Sequence, residues 1–133
     1  MKNEIEVKGL TVQLKKQKGD DFISLADMAK SQGENIRPAD VIKNWIRPRT
    51  TIEFIGTWEQ INNPNFKVVE FDHFKMNAGL PTFGLSPGLW KKKTNAIGFM
   101  VYQGKYGGTY AHKDIALEFC SAINPIFVKN YYI

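Results

Sequence analysis

The sequence predicts one small α+β domain in which helices pack with short antiparallel strands and a β-hairpin. Three observations carry this. Polar and apolar residues alternate from Glu4 to Lys8 and again from Leu10 to Leu14, the period of half-buried strands. Apolar residues recur at helical spacing within Ala39 to Arg47 and from Ile115 to Ile123. Just before the second of these, two stretches of strand character flank a glycine-rich turn at Gly104–Gly108, a hairpin pattern. With 133 residues, 43% of them hydrophobic and 13% aromatic, the chain has material for one packed core and is too short for two. Residues 1–21 divide off as N-terminal strands, 22–123 as the core and 124–133 as an apolar tail within this single domain.

In chain order, Gly9 separates the two alternating segments, and Lys15 to Asp21 is a charged turn around Gly19-Asp20. Phe22-Ile23 forms a third strand. Ser24, with Asp27 three residues on, has the pattern of a capping box opening a helix that stops near Gly33. Pro38 suits the first position of the next helix. That helix puts Val41, Ile42, Trp45 and Ile46 on one face and Lys43, Asn44 and Arg47 on the other, and Pro48 ends it. Thr50 to Glu53 offers a second capping box, and Ile55, Trp58 and either Ile61 or contacts near it continue an amphipathic segment to Asn62-Asn63-Pro64. Phe66 to Phe71 is expected to be extended or transitional, with a helical turn at Phe74 to Ala78. Ser86-Pro87 starts a helix with Leu89 and Trp90 inward, Lys91, Lys92 and Lys93 partly outward, and Asn95 closing it. Ile97 to Gln103 and Thr109 to Ala111 are the hairpin strands. The last helix carries Ile115, Ala116, Phe119, Cys120, Ala122 and Ile123 inward and stops at Asn124-Pro125.

Several classes of function find little support. No apolar run approaches the roughly 20 residues of a membrane span, and the N-terminus lacks a secretory pattern, which argues for a cytoplasmic protein. A lone cysteine, Cys120, makes no internal disulfide and falls on the apolar face of its helix, the setting of an inert thiol. His112 fits a helix cap before Asp114. Asp72-His73 is at most half a metal site, and no phosphate-binding glycine loop opens a helix. The expectation is a protein that is not an enzyme and that uses no cofactor and no metal.

Charge is more informative. The net charge is +5, and it is segregated. Between Asp72 and Asp114 there is no acid, while Lys75, Lys91, Lys92, Lys93, Lys105 and Lys113 all fall there. Arg37, Lys43, Arg47 and Arg49 meet only Asp40. Segregation of this kind is the footprint of a polyanion partner. Helices followed by a hairpin with a basic tip make a winged-helix-like core, because a duplex groove admits a helix while an adjacent hairpin tracks the backbone. Lys105 supplies the cation at the tip. Tyr106 beside it either packs on sugar or base or is a structural turn aromatic, and Gln103 is able to bond a base edge.

Phe22 to Ala29, Asp40 to Arg47, Thr51 to Glu59, Thr94 to Gly98 and above all Gly104 to Ala116 resemble the KilA-N domain. The resemblance runs from about Phe22 to Tyr132. It implies a DNA-binding domain of phage, prophage and large DNA-virus regulatory proteins, related in fold to the APSES domain of fungal transcription factors. By position, the wing is Phe99 to Ala111 and the helix pair Ser24 to Ser31 and Ala39 to Arg47. Lys105 stands where family members often carry arginine, which keeps the charge and loses the planar fork. Pro48 interrupts Arg47 and Arg49 where the family tends to carry a helix-compatible residue.

The expected function is sequence-specific or semi-specific binding of double-stranded DNA. Asn44 and Arg47 are candidate base contacts; Lys91, Lys92 and Lys93 are candidate phosphate contacts; Lys43, Arg49, Gln103, Lys105, Tyr106 and Thr109 complete the set. The bland alternative for most of these is a solvated helix face or strand filler. A rival function is a protein-interaction module whose basic face meets an acidic host or phage protein. A homodimer or an additional C-terminal domain would raise the specificity of a weakly binding single domain, and the apolar tail after Pro125 is where such a segment would pack.

Overall fold

The computed structural model describes residues 4–7, 10–103 and 108–123. The hairpin tip with Lys105 and Tyr106, the break at Gly9, the helix stop at Asn124-Pro125 and the tail lie outside these residues. The chain is α+β, and the described residues form six α-helices and one five-stranded antiparallel sheet. Strands β1 (Glu4–Val7), β2 (Leu10–Gln17) and β3 (Asp20–Ser24) form a meander. Five helices then intervene: α1 (Leu25–Ala29), α2 (Pro38–Ile46), α3 (Arg49–Asn62), α4 (Val68–Asn77) and α5 (Pro87–Thr94). The hairpin strands β4 (Phe99–Tyr102) and β5 (Gly108–His112) complete the sheet, and α6 (Lys113–Ile123) follows. The order across the sheet is β1-β2-β3-β5-β4, so β5 joins the meander to the hairpin, pairing Ile23 with Ala111 and Phe99 with Ala111.

Local signals explain most element ends. The Ser24 hydroxyl accepts from the Asp27 amide at 3.2 Å and the Ser86 hydroxyl from the Leu89 amide at 3.2 Å, each satisfying an orphan donor of a first turn. The Asp27 carboxylate does not reach back as in a capping box; it accepts from the Gln13 amide at 2.8 Å and ties α1 to β2. Asn95 closes α5 in the left-handed region, at φ 59°.

Four expectations are corrected. The charged turn is only Lys18-Gly19, both at positive φ, and Lys15 to Gln17 extend β2 as far as a Lys16–Asp21 ion pair of 3.2 Å. The second capping box does not form. Helix α3 begins at Arg49, the Pro48 carbonyl accepts from Ile52, Thr51 is buried, and Glu53 pairs with Arg49 at 2.8 Å. Residues 68–71 are helical, not extended, because Phe71 packs on Gly56 of α3, where a Cβ would overlap the ring. Leu89 and Ala122 face outward although the helical spacing placed them inward, and of the two alternatives for continuing the apolar face of α3, Ile61 is exposed.

Two aromatic groups hold the layers together. Trp45 of α2 meets Phe99 of β4 and Phe119 of α6 edge-on, at 6.4 and 5.0 Å between centroids. Phe66, Phe71 and Phe74 surround the fully buried Trp90 of α5. The first group sets α2 beside the hairpin, and the second sets α5 under it.

Candidate nucleic-acid interface

Helix α2 buries Ile42, Trp45 and Ile46 and leaves Lys43, Asn44 and Arg47 exposed. Lys43 faces the hairpin stem across a cleft of about 400 Å³ that is also lined by Gln103 and Thr109. A second cleft, of about 660 Å³, adjoins the first and is lined by Lys91, Lys92 and Gln103. Ser86, Gly88, Val101 and Gln103 border both clefts, so Gln103 stands on the ridge between them. Among the described residues no Asp or Glu lines either one. The nearest acid on α2, Asp40, is exposed in its first turn.

Lys43, Gln103 and Thr109 are thus brought together, and Lys92 adjoins them. Lys93 is exposed on the same helix as Lys92. Arg47 lines a separate hollow of about 330 Å³ with Pro48, Leu80 and Phe83. Arg49 is engaged by Glu53. Lys91 points inward, its ammonium donating to the carbonyls of Ala96 at 3.2 Å and Phe99 at 3.0 Å, so it braces the hairpin. Lys105 and Tyr106 lie outside the described residues.

The hairpin's placement depends on a carboxylate that charge patterning gave no reason to notice. Glu59 of α3 is fully buried and accepts from the amides of Ile97 at 3.0 Å and Gly98 at 2.7 Å and from the Asn63 side chain at 3.0 Å. Burial pushes its carboxyl above the ordinary 4.5, against the opposing pull of these hydrogen bonds and of Lys91. The available signal was its spacing: Glu59 falls on the buried stripe of Ile52, Ile55 and Gly56, where a charge needs partners. At the far end of the hairpin, the buried His112 accepts the Asp114 amide on Nδ1 at 3.1 Å, capping α6, and Trp58 donates to Asp114 Oδ2 at 3.1 Å. On the hairpin's other face Lys15 lies over Tyr102 and Tyr110, 5.1 and 5.3 Å from the ring centroids.

Burial pushes the Cys120 thiol up to about 12. Asp72 and His73 are exposed on α4, and among the described residues no three His, Cys, Asp or Glu side chains converge as metal ligands. No described helix is long and apolar enough to cross a membrane.

Residues 5–132 match the KilA-N domain family. The chain belongs to the KilA-N family. No match is found among curated proteins or among solved structures. KilA-N domains are a DNA-binding family and not an enzyme class, so DNA binding is the coarse role of this chain. The match begins at Ile5, earlier than the Phe22 at which the sequence resemblance starts, and takes in the β1-β2-β3 meander.

Proposed function

We propose that this KilA-N domain binds double-stranded DNA through the exposed face of α2 and the stem and tip of the hairpin. The observation that carries the proposal is the convergence of Lys43, Gln103 and Thr109 on one acid-free cleft, with Lys92 beside it. Lys43, Lys92 and Lys93 neutralise phosphates and set the register; Thr109 donates its hydroxyl to the backbone. Gln103 and Asn44 present paired donors and acceptors to base edges, and Lys105 and Tyr106 extend the contact at the tip. Arg47 continues the positive surface past the end of α2, and Arg49 reaches a phosphate by leaving its ion pair with Glu53.

In this reading the domain acts in the cytoplasm as part of a phage-type or prophage-type regulatory protein and gains specificity from a second copy or a further domain. Its test is selection of bound sequences from a random duplex pool, followed by a salt titration of the winner. Enrichment of a sequence and a linear fall of log affinity with log salt are expected. Failure to retain any duplex at low salt would reject the reading.

The Arg47 hollow favours a second reading, a protein contact. Pro48, Leu80, Pro81 and Phe83 give it an apolar lining beside one cation, which suits an acidic segment with an apolar anchor. Duplex DNA competes with such a partner only if both use the α2 face.

A further inference from the structure

We infer that the cleft between α2 and the hairpin selects A·T base pairs, seating the thymine methyl group on its apolar wall while Gln103 reads adenine. This rests on the duplex reading above and narrows it to a class of sequence.

The wall is the unusual feature. A surface that only held phosphates would present cations and hydrogen-bond donors, yet this cleft is walled by Ala26, Ala39, Ile42, Pro87 and Val101, with Lys43, Ser86, Gln103 and Thr109 as its long or polar members. Ala39 is exposed in the first turn of α2, four residues before Lys43 and on the same side of the helix. In the major groove the thymine C5 methyl is the one apolar group that an unmodified base edge offers, and alanine and threonine methyls are its usual partners. The second chemistry points the same way. The Gln103 carboxamide carries a donor and an acceptor side by side, the complement of adenine N6 and N7. Among the described residues no arginine, the side chain whose planar fork reads guanine, lines the cleft; Arg47 lines the separate hollow.

The test compares three duplexes of one length with the full chain: a thymine-containing duplex enriched from the pool, the same duplex with deoxyuridine at every thymine, and a G·C-rich duplex. Deoxyuridine removes only the methyl group. The thymine duplex should bind most tightly, and each methyl lost from the cleft should weaken binding about fourfold. In Ala39→Ser, a change at an exposed position, the ratio of thymine to deoxyuridine affinity should shrink toward one. Equal binding of thymine and deoxyuridine duplexes, with the salt dependence intact, would overturn this inference and leave the duplex reading standing. A ratio unchanged in Ala39→Ser would also overturn it, by removing the methyl from this cleft. Binding of no duplex would overturn both.

Discussion

Glu59 and Lys91 grip one short segment by opposite polarities. The carboxylate of Glu59 takes the amides of Ile97 and Gly98, and the ammonium of Lys91 takes the carbonyls of Ala96 and Phe99. The segment they hold leads directly into β4 and therefore aims the hairpin at α2. An anion from α3 and a cation from α5 thus convert helix packing into the width of the cleft.

Glu59→Gln is expected to destabilise the domain by about 1–3 kcal/mol, because its amide nitrogen would face a buried backbone N–H in place of an acceptor. Denaturant midpoints at fixed pH measure this; an unchanged midpoint would mean that the amides find other acceptors.

The same pair of proteins carries a pH prediction. Burial raises the Glu59 pKa in the fold, so between its unfolded value and its raised folded value the native state holds the proton more often than the unfolded state. Stability relative to Glu59→Gln therefore falls as pH rises from near the ordinary 4.5 through the folded value, and is level above it. Denaturation of both proteins across this range should show the difference narrowing with pH.

Exposed lysines and the bracing Lys91 should behave differently. Lys43→Ala and Lys92→Ala each reduce the salt slope of duplex binding by about 1. Lys91→Met should lower the thermal midpoint and leave the slope nearly unchanged, since its ammonium already serves two carbonyls. A loss of slope in Lys91→Met equal to that in Lys92→Ala would contradict the bracing role.

Gly98→Ala should be destabilising by about 1–3 kcal/mol through overpacking. A Cβ there would lie 2.5 Å from Ile115 Cδ1 and 2.8 Å from Glu59 Oε2, and neither neighbour is on a free surface. Thermal melts of the variant read the cost.

Cys120 should resist alkylation in the native protein and react promptly in denaturant, since burial pushes its thiol up to about 12. Mass spectrometry after timed labelling distinguishes the two; prompt native labelling would place the thiol at the surface.

What could be anticipated from the amino-acid order was whatever is decided locally. Ser24, Pro38, Ser86-Pro87 and Asn95 act within a turn or two of themselves, and the helix ends follow them. Helix α4 was illegible because its pattern depends on another element: Val68, Val69 and Met76 are exposed, and Phe71 is buried only because Gly56 leaves room for it. Lys91 and Lys92 look alike in the chain, and only the carbonyls beyond Asn95 separate them. The positive members of the site were visible as charge, while the apolar wall was not, since Ala26, Ala39, Pro87 and Val101 meet across stretches with no pattern in common.

The pairing of Ile23 with Ala111 has a consequence for how the protein comes into being. During synthesis β3 emerges five α-helices ahead of the strand that completes its pairing. Closing so long an excursion is slow compared with forming the helices themselves. Until Gly108 to His112 pair with it, β3 keeps one open edge and the cleft beside α2 lacks its hairpin wall, so sheet closure and cleft formation are one event.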